Sequence, residues 1–136
     1  MKRFICVLAC IIAVVAACSM VLAAEYWVML GQRTVTDRID HDVIYVTAAD
    51  GEFSALKIAV FRRPVEFKDV KVSFANGEVQ DIQIRRVINP GEETRIIDLS
   101  GDKRVINRIE FWYDVQSILG RRAVVRVYGL KVGGGR

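Results

Sequence analysis

Asp37, Asp40, His41 and Asp42 place three carboxylates and the chain's one imidazole within six residues. Hard carboxylate oxygens suit Ca²⁺, and an added ring nitrogen suits a transition ion. The spacing matches no established ligand loop. In an extended segment Asp40 and Asp42 would share a face while His41 points away. The competing reading is a solvated loop in which Arg38 partly neutralises the acids. Any ion held here is expected to be a structural Ca²⁺ that braces the loop, and no other cofactor is expected.

Two further sets carry binding chemistry. Tyr26, Trp27, Trp112, Tyr113 and Tyr128 are rings that stack on sugars when exposed and fill a core when buried. The arginine pairs Arg62-Arg63, Arg85-Arg86 and Arg121-Arg122, with Arg95, Arg104 and Arg108, offer planar forks for carboxylate or phosphate. Neighbours on a strand point to opposite faces, so a pair makes a patch only if the fold converges it with others. Abundant acids, among them Glu66, Asp69, Glu78, Asp81, Glu92, Glu93 and Asp98, supply salt-bridge partners instead. The candidate ligand-binding residues are Trp27, Trp112, Tyr113, Arg85 and Arg108.

Catalysis has little material. Past residue 24 the chain has one histidine, no cysteine and only Ser54, Ser73, Ser100 and Ser117 as serines, with no nucleophile elbow. Asp37 and Asp40 could do acid–base work only in a cleft that fixes their separation. The expectation is a non-enzyme.

The elements that must position these side chains read as strands. Val70, Val72 and Phe74 alternate with polar residues, as do Ile82 and Ile84, and Val125 and Val127. In the strand ending at Tyr113, Val105, Asn107, Ile109, Phe111 and Tyr113 share one face, opposite Ile106, Arg108, Glu110 and Trp112. Such period-2 patterns rich in β-branched and aromatic residues predict half-buried strands. Further strands are predicted over Tyr26 to Leu30, Val43 to Thr47, Phe53 to Phe61, Val79 to Ile88 and Ala123 to Leu130. Turns are marked by Asp50-Gly51, Asn76-Gly77, Asn89-Pro90-Gly91 and Ser100-Gly101-Asp102; Asn-Gly is the strongest hairpin signal of the four. Pro64 opens a strand or lies on an edge. About eight short strands and no amphipathic helix predict an all-β fold, an antiparallel two-sheet β-sandwich with a jelly roll as one topology.

Ahead of this domain, Met1-Lys2-Arg3 is followed by an uncharged run from Phe4 to Ala24, and the first acid is Glu25. A cationic start, an apolar run and small residues at its end are the parts of a secretory signal. Residues 1–24 are expected to direct export, residues 25–132 to form the sandwich and residues 133–136 to be a flexible tail. Cleavage after Ala23 or Ala24 is favoured. Val15-Ala16-Ala17-Cys18 resembles a lipobox, which would make Cys18 a lipidation site, and an uncleaved run would span a bilayer. Membrane attachment is expected only through such an N-terminus.

All three cysteines precede residue 25, so the domain carries no disulfide. Setting aside Lys2 and Arg3 leaves 18 basic against 16 acidic residues, about +2, too little to argue for nucleic acid. The 112 residues after the signal suffice for one unstapled core.

Trp27-Val28-Met29-Leu30-Gly31, Thr36-Asp37-Arg38-Ile39-Asp40-His41-Asp42 and Arg108-Ile109-Glu110-Phe111-Trp112-Tyr113 resemble a group of small exported bacterial proteins described only as a domain of unknown function. The closing strands Ile106 to Tyr113 and Ala123 to Leu130 are similar in pattern to galactose-binding-like jelly rolls. Neither resemblance implies a binding residue. The expected function is a non-catalytic exported binding module, periplasmic or extracellular, whose partner is a carbohydrate or an anionic envelope polymer. The alternatives are an assembly protein that binds an envelope protein through a sheet edge or exposed aromatic face, and a metal-dependent hydrolase.

Overall fold

The computed structural model describes residues 24–35, 40–115 and 122–132. Most of the segment expected to direct export, with Cys18, the acidic residue Asp37, Arg121 and residues 133–136 lie outside the described residues. Among the described residues nine strands form in chain order: β1 (Tyr26–Val35), β2 (Asp40–Tyr45), β3 (Glu52–Phe61), β4 (Val65–Phe74), β5 (Val79–Ile82), β6 (Val87–Ile88), β7 (Ile97–Asp98), β8 (Arg104–Val115) and β9 (Ala123–Lys131), with one 3₁₀ turn over Ala48–Asp50. Among the described residues no helix is long and apolar enough to cross a membrane.

Every ladder is antiparallel. One layer runs β1-β9-β3-β7 and the other β2-β8-β4-β5, with β6 also on β4. Chain order alternates between the layers at most steps, which is the wrapping of a jelly roll. A two-residue ladder, Glu52↔Val105 and Phe53↔Arg104, joins β3 to β8. Hydrogen bonding therefore continues through all nine strands as one open sheet, folded so that its two halves face each other.

The inner faces meet in one core. Ile58, Val60, Val125 and Val127 from the first layer and Val70, Val72, Ile109 and Phe111 from the second belong to a single cluster of buried residues. Contact across the layers is close enough to select glycine: a Cβ on Gly31 in β1 would lie 2.6 Å from Ile44 Cγ2 in β2. At the same margin Arg33 donates from Nε and Nη2 to the Val43 carbonyl, at 3.2 and 2.9 Å. That bond satisfies a backbone acceptor on β2, an edge strand whose groups would otherwise invite pairing with another chain.

Most predicted strands form, with informative departures. The Asn76-Gly77 turn closes the β4–β5 hairpin: Gly77 takes φ 92° and Phe74 N donates to Glu78 O at 2.9 Å. Pro64 immediately precedes β4. The strand expected over Val79 to Ile88 is split, because the four residues 83–86 bulge past the three residues 67–69 of β4, where the register shifts. In β8 the predicted face holds for Ile109, Phe111 and Tyr113 but fails at its start. There Ile106 is buried and Asn107 exposed. A bulge opposite Ser73/Phe74 reverses the alternation where β8 leaves one layer for the other.

Candidate functional site

The outer face of the first layer carries a groove of ≈ 330 Å³, at the small end of ligand-site volumes. Antiparallel pairing builds it from distant chain segments. Lys57 of β3 lies opposite Tyr128 of β9, and Ala59 opposite Arg126. Beyond β3 the backbone of residues 91–94 adds a further rank through Gly91 N to Val60 O (2.8 Å) and Thr94 N to Ile58 O (2.8 Å), with a bridge from Ala59 to Glu93. Ala59, small and 4% exposed, is part of the lining. Trp27, Tyr128 and Phe61 supply aromatic walls, and Gly91, Glu92 and Glu93 the far side.

Charges inside the groove are matched. Lys57 Nζ sits 4.5 Å from the centroid of Trp27 and 5.7 Å from that of Tyr128, and pairs with Glu93 Oε2 at 3.0 Å. Arg86 reaches Glu92 at 3.8 Å. The ammonium over the negative faces of two rings holds them in place. Half-buried rings beside hydrogen-bonding charges can stack on the C–H-bearing face of a sugar while binding its hydroxyls.

The sequence-nominated residues do not converge on one surface. Trp27 lines this groove. Trp112 and Arg108 lie on the outer face of the other layer, where Trp112 stacks on His41 with centroids 4.5 Å apart and planes at 13°. Glu110 there accepts from Arg108 Nε (2.8 Å) and lies 3.0 Å from His41 Nε2. The Arg108 guanidinium, with a smaller contribution from His41, holds the Glu110 carboxyl below its ordinary range against the opposing effect of burial. Beside them, a hydrogen bond shared with Asp69 pushes the Asp81 carboxyl up. Arg85 is exposed in the bulge between β5 and β6.

Tyr113, grouped by sequence with the ligand aromatics, is a correction. It is 1% exposed, and its hydroxyl donates to Asp42 Oδ2 at 2.6 Å. Its ring is core, because it follows the same alternation as Phe111.

Of the acidic cluster, Asp42 is therefore bonded to Tyr113 while His41 faces Trp112 and Glu110. Among the described residues no three His, Cys, Asp or Glu side chains are placed to hold a metal ion.

Lys57, Ala59, Phe61 and Glu93 were not singled out from sequence. A signal for them existed: the outward positions of β3 read Ala55, Lys57, Ala59, Phe61, and small or apolar residues on a strand's second face indicate that something covers or lines that face.

Fold and groove together define an all-β, antiparallel jelly-roll domain with an aromatic cleft on one outer face. The chain belongs to the family described as "Domain of unknown function (DUF2541)", whose model matches residues 5–129. No curated protein matches the sequence. Among solved structures it is similar to Pseudomonas aeruginosa AlgX (TM-score 0.49, 11% identity, covering 80% of this chain) and spans only 27% of that chain. It is also similar to the SPBc2 prophage-derived protein YomS (TM-score 0.44, 12% identity, covering 82% of this chain and 97% of that one). A mutant of a carbohydrate binding module family 29 is a third (TM-score 0.33, 11% identity, covering 79% and 92%). Nothing about a ligand passes from these structures to this chain.

Proposed function

We propose that this domain is a non-catalytic, exported binding module of the cell envelope that takes a carbohydrate chain in the groove between Trp27, Tyr128 and Phe61. The observation that carries the reading is the groove itself: three aromatic side chains line it together with the small Ala59 and the Lys57–Glu93 pair. Rings supply the stacking surface and the paired charges supply donors and acceptors for hydroxyls. Export is supported by the order of cationic start, apolar run and small residues at the N-terminus.

Titration of the purified protein against envelope glycans, followed by calorimetry, tests the reading. Binding is expected, with Trp27→Ala and Tyr128→Ala each weakening it about tenfold or more. If no envelope glycan binds, the reading is abandoned.

A second reading, assembly with another envelope protein, is favoured by one observation. β1 ends the first layer with Tyr26 and Met29 exposed on it, an arrangement suited to strand addition. A protein partner retained by Trp27→Ala would support that reading over the first.

A further inference from the structure

We propose that the groove is specific for an acidic glycan, and that the guanidinium of Arg126 is the group that takes the ligand's carboxylate. The inference rests on the carbohydrate reading of the same groove.

Arg126 stands on β9 in the middle rank of the outer face, opposite Ala59 on one side and Gln32 on the other. Two neutral partners fix it. Its Nε donates to Gln32 Oε1 at 2.7 Å, and its Cζ lies 4.5 Å from the ring centroid of Phe61, a wall of the groove. An amide and a ring orient a guanidinium without neutralising it, so the positive charge stays available. Arg126 is not itself a lining residue but borders the groove through Phe61, and the acids that line the groove differ on this point. Glu93 is matched by Lys57 and Glu92 by Arg86. Among the described residues, Arg126 has no carboxylate within ion-pair distance, and its two terminal nitrogens make no hydrogen bond. Among the described residues, each acid lining the groove thus has its cation, and Arg126 stands oriented at the groove's border without a carboxylate partner.

That surplus determines ligand class. A neutral sugar gains only hydroxyl contacts at Arg126, whereas a uronate-type carboxylate gains two parallel charge-assisted hydrogen bonds from the free end of the fork. Tyr128 lies two residues further along the same strand face. One sugar ring over the aromatic wall would therefore bring a substituent of its own or of the next ring within reach of Arg126.

The test compares a uronic-acid oligosaccharide with its carboxyl-reduced, neutral counterpart of equal length, each titrated calorimetrically into the purified full-length protein. The acidic form is expected to bind about tenfold tighter than the neutral form. The preference should shrink in salt of about 1 M, where charges are screened beyond about 3 Å. Arg126→Gln should remove the preference, and Arg126→Lys should keep part of it. Equal binding of the two forms by the unaltered protein overturns the inference and leaves the carbohydrate reading standing. If neither form binds and other glycans also fail, the carbohydrate reading falls first. The comparison within the unaltered protein does not depend on the variants folding.

Discussion

At the residue scale, the buried and half-buried polar groups are held by specific partners, and the Glu110 carboxyl shows what this implies for stability. Arg108 and His41 converge on it from β8 and β2, and its folded pKa lies below the usual value. A carboxyl depressed on folding stabilises the native state at pH above its unfolded value of about 4.3, and that contribution disappears as pH falls through the folded value. Glu110→Gln is therefore expected to lower stability at pH 7 by about 0.5–1 kcal/mol, the scale of a partly exposed pair. Chemical denaturation of both proteins should show the gap closing as the pH drops well below about 4. A gap that stays constant with pH would mean that packing, not charge, is lost. Tyr113 makes the complementary point, since one side chain supplies core area through its ring and satisfies Asp42 through its hydroxyl.

At the element scale, β1 and β2 decide how closely the layers approach on one flank. The register of β1 on β9 shifts between Met29 and Gly31, and the glycine at that bulge faces Ile44 at a distance that leaves no room for a methyl group. Gly31→Ala is expected to cost about 1–3 kcal/mol through overpacking. Removing the clashing Cγ2 in Gly31→Ala/Ile44→Ala should cost less than the two single losses together, because the two sites share one contact. Urea midpoints of the single and double variants check this, and purely additive losses would show that the Gly31–Ile44 approach is not the cause. Bulges also reassign faces. In β8 one extra residue turns Ile106 inward and Asn107 outward, and in the 83–86 segment the strand is divided. Alternation in the sequence is faithful only between such interruptions.

At the scale of the whole molecule, the core and the groove lie on opposite faces of the same strands. Ala59 lines the groove, while its neighbours Ile58 and Val60 belong to the core. Ala59→Leu is expected to abolish glycan binding and, because Ala59 is 4% exposed, also to cost about 1–3 kcal/mol through overpacking, read as a fall in melting temperature. An unchanged melting temperature would show that Ala59 has room above it. Export is tested on the intact protein from its host. Loss of about 23 or 24 residues is expected for a released domain, and a shorter loss with added acyl mass would indicate lipidation at Cys18.

The sequence by itself determined the class of fold and most of its strands, because period-2 alternation and Asn-Gly turn chemistry act between near neighbours and survive in any tertiary context. It separated inward from outward positions through most of β4, β8 and β9. It also placed Trp27 and Tyr128 among the aromatics worth examining. Only the tertiary structure decided which strands became lateral neighbours. That choice brings Trp27 of β1, Tyr128 and Arg126 of β9 and Lys57 of β3 onto one surface, and sends Trp112 to the other. The physical reason is that lateral pairing in a jelly roll joins residues up to about a hundred positions apart, as in Trp27↔Leu130. The alternation that makes each strand says which face is buried but carries no record of the partner strand beside it.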